Sequence, residues 1–124
     1  MHRIHFKFSS TDLISIRITT NDIVKIVQCR NEFESVCLVD LDNAVIKIEN
    51  LTPGVACNIE QVLVNFIDVS AIAYRFFRTY SKSDDSKVGD FVQDIHSPDY
   101  AVVTFDRSFY PMVFQHFVDY QLIK

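Results

Sequence analysis

The 124-residue sequence predicts an α+β fold: one domain over residues 1–124, with a mostly antiparallel sheet of about five strands and two or three helices packed on one face. Three observations predict it. The segments RIHFKF (3–8) and LISIRIT (13–19) alternate apolar and polar residues with the period of a half-buried strand. From Ile59 onward, Val62, Leu63, Phe66 and Ile67 recur at the spacing of a helical face. Further β-rich runs stand before and after that helical pattern.

In the first segment Ile4, Phe6 and Phe8 share a face opposite Arg3, His5 and Lys7; in the second, Ile14, Ile16 and Ile18 oppose Ser15, Arg17 and Thr19. With SSTD (9–12) as a turn, the two form an antiparallel hairpin with one buried face. Residues 21–33 suit either a short helix or a third strand. Ile23, Ile26 and Val27 on one helical face, with Thr20 or Asn21 as cap, favour the helix. Runs 35–40 and 44–49 flank Asp42-Asn43 as a second hairpin, and their apolar residues on both faces point to a central place in the sheet.

LTPGV (51–55) is a break. Asn58 and Gln61 then resemble a capping box. The helical stripe continues through Val69, Ala73, Phe76, Phe77 and Tyr80, as one long helix or as two with a bend near Asp68–Ser70. On that helix Arg75, Arg78 and Lys82 form a basic back, away from the buried rings. SKSDDSKVGD (81–90) is a polar loop, DFVQDI (90–95) a helical turn, and YAVVTF (100–105) a strand. FYPMVFQHFVDYQLI (109–123) closes as a helix, with Pro111 in its first turn and Phe114, Phe117 and Val118 on one face.

Composition narrows the function. The AVILMFWYC set is 48% and charged residues 23%, a balance of folded domains rather than disordered chains. Eleven Phe and no Trp predict a phenylalanine-rich core. With two Gly and three Pro, turns fall to Asn, Asp and Ser. A net charge of −4 argues against general polyanion binding. Cys29, Cys37 and Cys57 are odd in number and lack CxxC spacing, which suits reduced thiols in a cytoplasmic protein. The N-terminal stretch does not read as a signal peptide, and no run approaches the ~20 apolar residues of a membrane span, so no membrane partner is expected. Asn50-Leu51-Thr52 fits a glycosylation pattern, which without a secretory signal is read as coincidence.

His2 and His5 fall on opposite faces of a strand. His116 and Asp119 share a helical face, but no second pair completes a metal set. Asp40 and Asp42 suit a hairpin turn better than a metal site, and neither a calcium-loop spacing nor a phosphate cradle is present. The Pro-Asp of SPDY (97–100) lacks the downstream element of a nuclease. Cys57 at the start of the long helix, with His96 as base, would suit a small hydrolase, although no third group orients the histidine.

The expectation is therefore a non-enzyme without cofactor or metal: a small acidic adaptor, or an inhibitor or immunity-type protein neutralising a basic protein partner. Asp84, Asp85, Asp90, Asp94 and Tyr74 would be its contacts. Tyr80, Tyr100, Tyr110 and Tyr120 are further candidate anchors. The alternatives are a nucleic-acid binder using Arg3, Lys7 and Arg17 or Arg75, Arg78 and Lys82, and the Cys57 hydrolase. Nucleic acid is disfavoured because Phe6 and Phe8 face the core and leave no exposed aromatic platform.

Overall fold

The two alternating N-terminal segments form a single strand. A computed structural model describes residues 2–21, 23–40, 44–90, 94–96, 99–105 and 109–119. In it β1 (His2–Thr20) runs unreversed and pairs antiparallel with β2 (Ile23–Val39). The expected turn at 9–12 is corrected to a bulge. Ser10 lies opposite Asn31 and Ile14 opposite Cys29, so Thr11, Asp12 and Leu13 face Arg30 alone. The insertion preserves the alternation, and Ile4, Phe6, Phe8, Ile14, Ile16 and Ile18 are all buried on one face. The chain reverses instead at Asn21, which takes the positive φ that Asn tolerates. Residues 23–33 are accordingly strand, not helix.

The bulge divides β1 into two halves with different partners on its other edge. Ile4–Ser9 pair with β4 (Ala56–Val64), whereas Ile16–Thr20 pair with β3 (Ala44–Asn50). Beyond β3 follow β9 (Tyr100–Phe105), β6 (Phe77–Tyr80) and β7 (Lys87–Gly89), all antiparallel. Beyond β4 lie β5 (Ile67–Asp68) and β8 (Asp94–His96). The central place expected for residues 44–49 is observed, but β3 pairs with β1 and β9 rather than with β2. The expected turn at Asp42-Asn43 lies outside the described residues.

The sheet curls into a half-barrel, so that the two halves face each other across the core. Phe6 of β1 meets Phe77 of β6 edge to face, centroids 6.4 Å apart. Phe6, Phe8, Phe77 and Phe105 are the largest fully buried side chains, and isoleucines from β1, β3, β4 and β8 fill in around them. The phenylalanine-rich core is thus present, shared with isoleucine.

The long helix expected from residue 58 to 80 is replaced by β4, β5, a 3₁₀ turn at Ser70–Arg75 and β6. The cause is a second bulge. Lys7 faces Gln61 and Phe8 faces Ile59, so Glu60 is extra in β4. It shifts the buried positions from Cys57 and Ile59 to Val62 and Val64. The resulting spacing of three between Ile59 and Val62 imitates a helical face. Asp94–His96 is likewise a strand, not a helical turn. The α+β expectation is corrected: the described chain is nearly all β, with one α-helix, α1 (Phe109–Asp119), and the 3₁₀ turn. α1 packs through Phe109 and Val113, while Phe114 and Val118, expected on the packed face, are exposed.

Asn65 and Phe66 join β4 to β5 with φ of 49° and 69°. A bulky residue is strained in that region, yet Phe66 is 74% exposed, with the Arg3 guanidinium over its ring 4.9 Å from the centroid. Relief of about 1 kcal/mol of backbone strain outweighs loss of about 0.5 kcal/mol of exposed cation–π contact. Phe66→Gly should therefore raise the urea midpoint. A lowered midpoint would mean that the ring contributes more than Arg3 accounts for.

Candidate functional site

Strand alternation assembles the principal site on the outer face of the sheet. In β3, Ile46 and Ile48 point to the core and Lys47 and Glu49 away from it. Register then places a row across five strands: Arg17 opposite Glu49, Glu49 opposite Tyr100, Tyr100 opposite Tyr80, and Tyr80 opposite Lys87. The next row runs Thr19, Lys47, Val102 and Arg78.

The Tyr80 and Tyr100 rings lie nearly parallel, centroids 5.5 Å apart at 22°. Lys47 Nζ stands 4.5 Å from the Tyr100 centroid and Lys82 Nζ 5.9 Å. The Glu49 carboxylate, only 10% exposed, gathers three cations: Arg17 Nη1 at 3.6 Å, Lys82 Nζ at 3.9 Å and Lys47 Nζ at 4.0 Å. The Tyr100 hydroxyl donates to Asp85 Oδ1 at 2.6 Å, and that bond, with burial and the nearby carboxylates, pushes its pKa up to about 12. The site therefore offers two aromatic rings, a rim of cationic donors, and carboxylate acceptors.

A second polar feature lies at the β1 bulge. It is a cleft of about 370 Å³ lined by Ser9, Ser10, Thr11, Asp12, Asn58 and Asp94, among others.

The residues singled out from sequence are dispersed. Lys82 and Asp85 converge on Tyr100, and Arg17 reaches Glu49, the cross-strand neighbour of Tyr100. Asp84 accepts from the Ser86 hydroxyl and amide within its own turn, and these bonds lower its pKa. Asp90 is bound by Lys87 at 2.6 Å and faced by Arg78 at 3.6 Å, and the Lys87 bond leads the lowering of its pKa. Asp94 belongs to the bulge cleft, where Asn58 donates to it at 2.7 Å. Tyr74 is 54% exposed on the 3₁₀ turn. Arg3 and Lys7 stand on the other half of β1 from Arg17, over Phe66 and beside Glu34. Arg75 is exposed on the 3₁₀ turn, away from Arg78 on β6, so the basic helical stripe does not form.

Lys47 and Glu49 were missed. Their signal was the alternation of AVIKIEN, which sets both outward. The helical reading also separated Arg78 from Tyr80; on a strand these share a face, and rings and cations form one mixed surface.

Cys57 does not form a reactive pair. It lies in β4, fully buried, not at a helix start. Its strand partner is Ile95, whereas His96 pairs with Ala56 and so points to the opposite face. Burial, aided by the Asp94 charge, pushes the thiol pKa up from 9.0 to about 12. The neutral thiol is favoured in the folded state, so its contribution to stability is full below pH 9 and is lost as the pH rises towards 12. A thiol reagent at pH 8 should leave Cys57 unlabelled until denaturant is added. Rapid labelling of this residue in the folded protein would contradict the burial.

No family model matches the chain, and no curated protein matches it significantly in sequence. Solved structures do resemble it. One is the selenomethionine form of vCBM60, described within two families of calcium-dependent carbohydrate-binding modules. It superposes with a TM-score of 0.58 at 11% identity, covering 85% of this chain and 92% of that one. Another is vCBM60 in complex with galactobiose, with a TM-score of 0.57 at 10% identity, covering 84% and 97%.

Calcium takes six to eight oxygen ligands, with carboxylates prominent. Among the described residues no three His, Cys, Asp or Glu side chains converge, and Asp94 of the bulge cleft is already bonded to Asn58. The described residues therefore do not fit such an ion.

The likeness establishes the fold and corrects the functional expectations built on an α+β frame. The similar structures are carbohydrate-binding modules, not inhibitors with a basic protein partner and not nucleic-acid binders. That is in keeping with the expectation of a non-enzyme, while the Cys57 hydrolase is opposed by the burial of its thiol and by His96 lying on the opposite face.

Proposed function

We propose that this protein is a non-catalytic carbohydrate-binding module whose glycan lies on the Tyr80–Tyr100 face. The observation that carries the reading is the cross-strand row Arg17, Glu49, Tyr100, Tyr80 and Lys87. Pyranose rings present apolar C–H faces that pack on aromatic rings, and equatorial hydroxyls that both donate and accept. Tyrosine rings supply the first contact at low entropic cost, and a few fixed polar groups orient the ligand. Here Lys47, Lys82 and Arg17 supply the donors, while Glu49 holds those cations in place and Asp85 fixes the Tyr100 hydroxyl. The sheet holds Arg17, Lys47, Glu49 and both tyrosines on paired strands, with Lys82 and Asp85 on the segment between β6 and β7, so little of the face needs ordering on binding. The fold shared with vCBM60, which was solved with galactobiose, supports the same class of ligand.

Affinity electrophoresis through gels containing soluble polysaccharides, galactans included, tests this. Tyr100→Ala should weaken retardation about tenfold, equivalent to about 1.4 kcal/mol. Tyr74→Ala, away from the row, should be retarded like the parent. Equal loss in both variants, or retardation by no polysaccharide, would sink the assignment.

A further inference from the structure

The charge balance around Glu49 narrows the class of glycan. Three cations around one buried carboxylate leave positive charge in excess, in a chain whose net charge is −4. Asp85 offsets part of it from the phenol end of Tyr100, where its carboxylate is committed to the hydroxyl.

The distances matter as much as the count. Arg17, Lys47 and Lys82 stand 3.6, 4.0 and 3.9 Å from Glu49 oxygens, beyond the 2.7–3.2 Å of an N–H···O hydrogen bond. They are held by charge, and among the described residues no hydrogen bond spends their N–H donors. An ammonium carries three donors and a guanidinium five. All three side chains are half-exposed, so the donors are open to a ligand. Lys47 and Lys82 also lie over the Tyr100 ring, which places their ammonium groups against the aromatic platform.

We infer that Arg17, Lys47 and Lys82 form a subsite for an anionic group on the bound glycan, a carboxylate or a sulfate ester. The inference rests on the carbohydrate reading of the Tyr80–Tyr100 face. The anion takes charge-assisted hydrogen bonds from the three cations while the sugar ring that bears it packs on tyrosine. Glu49 stays beneath as the group that keeps the cations together.

The test compares four oligosaccharides of one size by calorimetry: a neutral galactan, a galacturonan, its methyl ester, and a sulfated galactan. A single-stranded oligonucleotide of matching charge is the fifth probe. Binding of the galacturonan about fivefold or more above its methyl ester supports a carboxylate subsite. The same preference for the sulfated galactan alone supports the subsite and assigns it to sulfate. In either case the acidic-to-neutral ratio should fall towards one in the Lys47→Gln/Lys82→Gln variant. Equal affinity for all four sugars, still weakened by Tyr100→Ala, overturns the anionic subsite and leaves the glycan face standing. Binding of none of the sugars overturns both. Binding of the oligonucleotide as tight as that of the acidic sugars reduces the cluster to a general anion exchanger and overturns the inference.

Discussion

Phe6→Ala should lower the free energy of unfolding by about 3–5 kcal/mol, the range for removing a fully buried phenylalanine. Phe6 has no exposed surface and lies where the sheet closes on itself, stacked beside Phe8 at 5.9 Å and edge-on to Phe77 at 6.4 Å. Truncation removes contact across the core as well as along β1, and neighbouring strands cannot collapse into the gap without breaking their pairing. The loss is a large part of the 5–15 kcal/mol typical of a domain. At the usual urea dependence the midpoint should fall by roughly 2 M. Leu13→Ala, on the exposed bulge of the same strand, should stay within about 0.5 kcal/mol. A Phe6→Ala loss below about 1 kcal/mol would mean that the two halves of the sheet do not meet there.

Asn50→Asp should cost a similar amount, for a different reason. Asn50 is 2% exposed, and its amide nitrogen donates to the Val55 carbonyl at 2.7 Å and the Ile95 carbonyl at 2.8 Å. Its amide oxygen accepts from the Thr52 backbone at 3.0 Å. One side chain thus ties the end of β3, the loop after it and β8. A carboxylate of the same shape turns the donor into a negative charge facing two carbonyls, buried and unpaired. About 3–5 kcal/mol is expected at neutral pH.

The sign with pH follows from the burial. The folded pKa of the introduced carboxyl is raised above its unfolded value near 4. The variant therefore keeps its stability below that value and loses it as the pH rises through the folded pKa. Urea denaturation at pH 4 and pH 7 should show a smaller gap to the parent at pH 4; a gap independent of pH would count against buried charge as the cause. The same two carbonyl bonds bear on the Asn50-Leu51-Thr52 pattern. In the folded protein its amide nitrogen is spent and enclosed, which agrees with reading the pattern as coincidence.

Alternation made the first strand legible and hid the fourth. Nothing disturbs the period in RIHFKF or LISIRIT, and every apolar position picked there is buried. Their direction was not legible, because polar SSTD reads alike as a turn or as a bulge. Glu60 shows how one extra residue converts a strand pattern into a helical one, and the error spread: with 58–80 taken as helix, Arg78 and Tyr80 fell on opposite sides. The candidate site suffered most, since its members come from β1, β3, β6, β7, β9 and the segment between β6 and β7. Only register brings Arg17 to Glu49 and Tyr80 to Tyr100, and register depends on partners distant in sequence. The reliance on asparagine was more accessible: Asn21 and Asn65 in turns, and Asn31 opposite the β1 bulge, take the positive φ that scarce glycine left to them.

The division of β1 at its bulge also sets a schedule for synthesis. β1 emerges before either strand that covers its second edge, and at about 5–20 residues per second the chain through β4 takes roughly 3–13 s to make. Over that interval the β1–β2 hairpin is the only long pairing available, with Ile4, Phe6, Phe8, Ile14, Ile16 and Ile18 awaiting partners from later in the chain. Such non-local sheets also fold slowly once complete, in milliseconds to seconds. A nascent hairpin of this kind is a template for the wrong neighbour. The charges along β2, Lys25, Arg30, Glu32 and Glu34, stand on the strand that a second nascent chain would meet first. Among the described strands β2 pairs with β1 alone, so these charges line an open edge in the finished sheet as well as in the nascent hairpin, where charge disfavours the addition of another strand.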